Sequence, residues 1–382
     1  MSSTQDGLAL QHSAAARTAR AALLRAVQQP LQIEDIEVRA PQGDEVLVRL
    51  AGTGICHTDL VVCGGFPAPL PIVLGHEGAG VVEAVGPAVT AVAPGDHVVL
   101  SFDACGACPN CAEHQPAYCH QFMPLNFAGQ SPEDGSTGLS QGGEKVYGRF
   151  FGQSSFATLA LARERNTVKV DRDLPLALLG PLGCGVQTGA GAVLNSLKLR
   201  AGDGLAVFGG GAVGLSAVMA ARAAGAAHIV VVEPHAARRA LALELGATAV
   251  IDPTAEADVP AAVKAASGGG VPRALDTTGI PPVIRQAAEV LLPNGLLGLL
   301  GVSPPEADLP VNVMGMLMRG IGVKAILEGD SDPQRFIPEL LALYRAGRFP
   351  FDKLIKTFGF EQINEAMAAS VDGSVVKPVV VF

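Results

Sequence analysis

The sequence predicts an α/β protein in two parts: a doubly wound, parallel-sheet domain and an irregular β domain that precedes it. Three observations carry this reading. A glycine-rich turn separates an apolar strand from a helix in "LAVFGGGAVGLSAVMAARAAG". Short apolar runs then alternate with helical stretches. Upstream, valine-rich segments are broken by Gly and Pro. The chain has 382 residues, too many for one ordinary core, so two domains are expected.

Residues 1–19 lack the charged-then-apolar order of a secretory signal and read as a flexible extension. Arg17, Arg20 and Arg25 leave a transit peptide as the lesser reading. Residues 20–185 contain "EVLVRLAG", "GAGVVEAVG" and "GDHVVL", the texture of a small irregular β domain. Residues 186–326 open with a strand at 205–208, a turn Gly209-x-Gly211-x-x-Gly214, a helix over about 212–224 and a strand at 229–232. Apolar runs at 249–251, 273–276 and 295–302 continue the series. Short buried strands joined by helices imply a parallel sheet covered on both faces.

Composition excludes several classes. Hydrophobic residues are 49% and charged residues 16%, which argues for a folded protein. The net charge of −9 disfavours nucleic acid and anionic membrane, which want a basic face. An uninterrupted apolar run of about 18 residues, enough to span a membrane, does not stand out. Seven cysteines, an odd number, argue against a disulfide scaffold and for metal or catalysis in a reducing compartment, the cytoplasm.

Four cysteines crowd into "CGACPNCAEHQPAYC": Cys105, Cys108, Cys111 and Cys119. Their short spacings let four thiolates converge on one ion, with Gly106 and Pro109 making the turns. Four sulfurs fill a tetrahedral zinc shell and leave no open position, so this site is expected to be structural. An iron–sulfur cluster is the competing reading. His114 and His120 are not needed for a full shell and read as surface residues.

The glycine turn reads as a dinucleotide site, because a strand precedes it, a helix follows it, and Glu233 stands 19 residues after Gly214. Gly209 permits the tight turn, Gly211 lets a pyrophosphate approach the positive helix end, and Gly214 lets helix pack on strand. Glu233 would accept bonds from the adenosine ribose and repel the extra phosphate of NADP, which favours NAD. Arg238 would meet either a ribose or that phosphate.

Cys56 lies in "GICHTD", His76 and Glu77 in "LGHEGAG", and Cys184 in "PLGCGVQTG". Two thiolates and an imidazole make a three-ligand zinc site with one position left open. Beside a nicotinamide, such a zinc is a Lewis acid for an alcohol or carbonyl oxygen.

With these motifs the chain resembles the zinc-dependent medium-chain alcohol dehydrogenases, which pair a GroES-like catalytic domain with a Rossmann domain. The likeness runs from about residue 20 onward, and it implies that 327–382 return to the catalytic domain. "YGRFFGQSSFAT" and the preceding loop are similar to the aryl (benzyl) alcohol subgroup, with geraniol and perillyl alcohol enzymes as the near alternative. The resemblance implies Cys56, His76 and Cys184 as catalytic zinc ligands, with Glu77 a nearby carboxylate. It implies Asp59 as the partner of the ligand histidine and Thr58 as the hydroxyl that takes the alcohol proton. It places His57 and Lys377 at the cofactor pyrophosphate, and Thr188 and Val213 along the nicotinamide; Val302 is also assigned to the cofactor. Where many members carry a relay histidine, this chain has Val61. Cys63 is left over and reads as a packing residue. The implied substrate is a small alcohol or aldehyde, the implied assembly a homodimer or homotetramer paired through a sheet edge near 295–302 or 321–325. A formaldehyde–thiol adduct dehydrogenase and a non-catalytic metal- and cofactor-binding protein are the remaining readings. Phe102, Phe127 and Leu327 are candidate walls of the substrate pocket.

Overall fold

The strand Gly204–Phe208 is buried along its whole length, as an apolar run in the middle of a parallel sheet must be. The computed structural model, which describes residues 16–382, places it in a six-stranded parallel sheet. The strand order there is Ala249–Ile251, His228–Val232, Gly204–Phe208, Val271–Asp276, Leu291–Leu299 and Gly322–Ala325. The chain thus starts in the middle, works to one edge, then crosses back and works to the other. This doubly wound order opens a crevice at the carboxyl ends of the strands, where the direction switches. The helix Ala212–Ala224 covers one face and stops at Gly225, whose φ of +83° suits the left-handed helix end.

The other domain is built from two antiparallel-rich sheets. The strand Glu45–Gly54 is the hub of the larger one, pairing with Gly78–Val85, Leu159–Arg163 and Lys377–Val381. The last of these comes from the far end of the chain, with Val379 opposite Gly54. Residues 355–359 pair beside it. The C-terminal segment therefore completes the sheet that the N-terminal segment begins.

Two expectations need correction. The strand Arg17–Leu24 already pairs with Gln32–Val38, so the extension expected over 1–19 ends earlier; residues 1–15 lie outside the described residues. The run at 295–302 is not a sheet edge. Its strand, Leu291–Leu299, lies between two others, and the edge is Gly322–Ala325.

The helix Gly185–Gly191 joins the domains. A Cβ on Gly189 would lie 2.0 Å from the Val213 carbonyl. This close approach presses the helix that begins at Cys184 onto the helix that begins after the glycine turn.

Candidate active site

Two of the sulfur-bearing residues sit at helix starts. Cys56 caps His57–Gly64 and Cys184 caps Gly185–Gly191. The positive end of a helix favours a thiolate. His76 enters from the turn before Gly78–Val85 and is fully buried. One ligand atom each from Cys56, His76, Glu77 and Cys184 lies within 4.8 Å of the others.

Electrostatics show what this cluster lacks. The Cys184 thiol, with the His76 and Lys377 charges, holds Cys56 well below the usual thiol range. Cys184 is pushed well above that range by the Cys56 thiolate and by burial. A dication bound between them would take both sulfurs as thiolates. His76 Nδ1 lies 3.1 Å from Asp59 Oδ1, while its Nε2 is buried without a hydrogen-bond partner among the described residues. A buried ring nitrogen left bare is costly; a metal would satisfy it, and the residues present fit zinc.

Asp59 is fixed as firmly as the ring it holds. Its Oδ2 accepts from the Cys56 backbone at 2.9 Å and its Oδ1 from the Gly75 backbone at 3.0 Å. Thr58 places its hydroxyl 3.9 Å from Cys56 Sγ. Glu77 turns to Lys377, whose Nζ lies 2.9 and 3.0 Å from its two oxygens. Lys377 also donates to the Ile55 carbonyl at 3.1 Å. Its ammonium is thus anchored by Glu77 on the wall of the cleft described below.

The "YGRFFGQSSFAT" segment wraps the histidine. Phe151 stacks on the His76 ring with centroids 4.3 Å apart, and Phe150 meets its edge at 5.4 Å. Gln153 Nε2 donates to the His76 carbonyl at 2.9 Å, while its Oε1 accepts from the Gly78 backbone at 3.0 Å. Sequence reasoning used this stretch only as a likeness and missed what it does. The signal was a polar Gln amid Phe and Gly. Phe127 packs on both Phe150 and Phe151. Phe102 is instead buried against Phe122.

A cleft of about 600 Å³ runs from Cys56 and His57 past the glycine turn to Glu233 and Arg238. Val213, Val302 and Lys377 also line it. Gly209 has φ +100°, and a Cβ there would lie 2.4 Å from Thr277 Oγ1. On Gly214 a Cβ would lie 1.9 Å from the Gly209 carbonyl. Gly211 faces open space among the described residues, as backbone that must approach a ligand should. Glu233 accepts from the Gly210 backbone at 2.6 Å and the His235 backbone at 2.8 Å. Each of its oxygens keeps a lone pair for a ribose hydroxyl. Arg238 donates to the Gly373 carbonyl at 3.2 Å. Thr188 donates at 3.3 Å to Glu328, a buried acid that the sequence analysis did not single out. Burial pushes the Glu328 carboxyl up to about 7.

Cys105, Cys108, Cys111 and Cys119 form the second group, again within 4.8 Å. Backbone N–H groups of Ala107 and Cys108 donate to Cys105, and those of Cys105 and Gln121 to Cys119. Such amide-to-sulfur bonds would support these sulfurs as thiolate ligands of a bound metal.

Comparison with known proteins agrees with this geometry. Residues 42–172 match the alcohol dehydrogenase GroES-like domain, and residues 212–345 match the zinc-binding dehydrogenase family. The chain belongs to the zinc-dependent medium-chain alcohol dehydrogenases. A geraniol dehydrogenase of Castellaniella defragrans is 57% identical over 96% of this alcohol dehydrogenase and 98% of the relative. The benzyl alcohol dehydrogenase of Acinetobacter calcoaceticus superposes with a TM-score of 0.93 at 44% identity, covering 96% and 99% of the two chains. A zinc-binding alcohol dehydrogenase domain protein of Burkholderia ambifaria superposes at 0.94 with 52% identity, covering 96% and 100%. The cofactors of this dehydrogenase are therefore zinc and a nicotinamide dinucleotide, and its substrate is a small alcohol. No helix among the described residues is long and apolar enough to cross a membrane.

Proposed function

We propose that the enzyme reversibly oxidises a primary allylic or aromatic alcohol to its aldehyde, with NAD as hydride acceptor. One observation carries the reaction. The bare His76 Nε2 and the two sulfurs lie together, and Cys56 among them lines the cleft that reaches Glu233. When bound, zinc there supplies a Lewis acid and the dinucleotide a hydride acceptor.

The chain's own residues do the rest. Cys56, His76 and Cys184 hold the metal, and Asp59 fixes the histidine ring. The Thr58 hydroxyl takes the alcohol proton outward. Val61 has no group that could accept the proton and carry it further. His57 lies on the cleft wall and binds cofactor. Phe127, Phe150 and Phe151 keep water from the ligand side. The four-cysteine lobe holds the structural zinc.

For the substrate, the full-length likeness to a geraniol dehydrogenase supports an allylic alcohol ahead of benzyl alcohol. The hydrocarbon at Val61 and the phenylalanine cluster support a bulky apolar substrate of either kind. Steady-state rates with geraniol, cinnamyl alcohol, benzyl alcohol and ethanol, each with NAD and NADP, test the reading. Geraniol or benzyl alcohol should exceed ethanol in kcat/KM by about 100-fold, the reach of a few buried methylenes. Equal efficiency with ethanol overturns the substrate class. Preference for NADP overturns the role of Glu233.

The assembly is proposed to be a dimer through the parallel sheet. The strand Gly322–Ala325 has one edge unpaired among the described residues. The preceding helix, Val313–Arg319, exposes Val313, Met314, Leu317 and Met318 by 63–78%. An unpaired edge and an apolar helix side by side fit a second copy related by a two-fold axis.

A further inference from the structure

The loop after Leu327 is strained. Glu328, Gly329 and Asp330 take left-handed backbone in succession, with φ of 50°, 68° and 50°. For Glu and Asp this conformation is unfavourable and must be held by surroundings. Packing holds it. A Cβ on Gly191 would lie 2.3 Å from the Gly329 carbonyl, and one on Gly329 would lie 2.6 Å from the Gln187 carbonyl. The loop is thus seated against the helix that Cys184 begins.

The strain delivers a carboxylate to the metal site. Glu328 is buried, with Oε1 3.6 Å from Cys184 Sγ. Its Oε2 accepts from Thr188 Oγ1 at 3.3 Å. No ion-pair partner faces it among the described residues. A buried acid without a cation is expensive, and such groups persist where they serve a site.

The far side of the loop is gripped by the four-cysteine lobe. Tyr118, next to Cys119, donates to Asp330 at 2.6 Å. Its oxygen also accepts from the Leu327 backbone at 3.3 Å. Lys324 pairs with Asp330 as well.

We propose that Glu328 is a positioning residue of the metal site: its carboxyl group sets Cys184 and Thr188 relative to each other, and the four-cysteine lobe holds it there through Tyr118. This rests on the reading of Cys56, His76 and Cys184 as metal ligands. One side chain then couples the orientation of a ligand sulfur to that of a hydroxyl on the next helical turn. The lobe contributes to the site at a distance, through the loop it clamps.

Three variants test this. Glu328→Gly removes the carboxylate without backbone penalty, because glycine is at ease at this φ. Glu328→Gln keeps an acceptor for Thr188 and offers an amide donor to the sulfur. Tyr118→Phe releases the loop and leaves all seven cysteines. Zinc release to a chromogenic chelator and the absorption bands of the cobalt-exchanged protein are read, not activity alone. In Glu328→Gly, one of two zinc ions should be held about 10–100-fold more weakly, with shifted cobalt bands. Glu328→Gln should restore both toward wild type. Tyr118→Phe should shift the same bands in the same direction while the lobe keeps its zinc. Wild-type zinc release and bands in Glu328→Gly, or failure of Gln to rescue, overturn the positioning role. Unchanged bands in Tyr118→Phe overturn the clamp. If wild type binds one zinc and Cys184→Ser retains it, the ligand assignment itself falls, independently of any change at 328.

Discussion

Asp59 illustrates how much one side chain can do when water is absent. Its two oxygens hold His76 and the backbone at Cys56 and Gly75, all at 2.9–3.1 Å. Residues that orient a ligand ring typically change metal affinity by 10–100-fold when altered, so Asp59→Asn should weaken one zinc about that much in a chelator competition. Cys63 stands at the other extreme. Burial and the Asp59 charge push its thiol up to about 12, so alkylation at pH 8 should leave it unmodified until the protein unfolds. Glu45 carries a different lesson. Burial alone would raise its carboxyl, but Arg39 and Arg149 hold it below the usual value. Glu45→Gln leaves the buried Arg149 without its partner, at a cost of about 3–5 kcal/mol at pH 7. A lowered carboxylate contributes stability in full above its unfolded pKa, about 4.3, and loses it as pH falls through the folded value. The gap in unfolding free energy between wild type and Glu45→Gln should therefore narrow below about pH 4. A constant gap would show that packing, not charge, was lost.

At the scale of elements, the glycine turn separates two kinds of glycine. Gly214 is a packing glycine: its missing Cβ would sit 1.9 Å from a carbonyl. Gly211 is open. Gly214→Ala should cost about 1–3 kcal/mol of stability, as overpacking does. Gly211→Ala should leave thermal unfolding unchanged and weaken NAD binding in a calorimetric titration. Equal loss of stability in both would remove the distinction. This element was readable from the chain because strand, turn, helix and strand follow one another, and local spacing encodes their geometry. The same holds for the four-cysteine lobe, where ligands lie within fifteen residues. The loop at Glu328 was not readable. No pattern marks an acid followed by Gly and Asp as strained, since the strain comes from a helix more than a hundred residues earlier.

At the scale of the molecule, the return of Lys377–Val381 to the strand Glu45–Gly54 brings the C-terminal strand to the site. It buries Lys377 against Glu77, a pair that neither local sequence discloses. The exposed helix Val313–Arg319 and the edge strand Gly322–Ala325, unpaired on one side among the described residues, belong to the same scale. Met318→Arg, which places a charge on that apolar face, should shift sedimentation from dimer toward monomer. An unchanged dimer would place the interface elsewhere.

The sequence by itself determined the two clusters of metal-ligand residues, the dinucleotide turn and the alternation of strands and helices that makes a parallel sheet, because each rests on residues close in the chain, on a recognisable motif or on a regular alternation. Only the tertiary structure decided that Lys377 serves Glu77, that Phe151 and Gln153 sheathe His76, that the sheet edge is Gly322–Ala325, and that Glu328 faces Cys184. Those contacts join segments far apart in sequence, and burial, which no local pattern records, sets what each polar group must find as a partner.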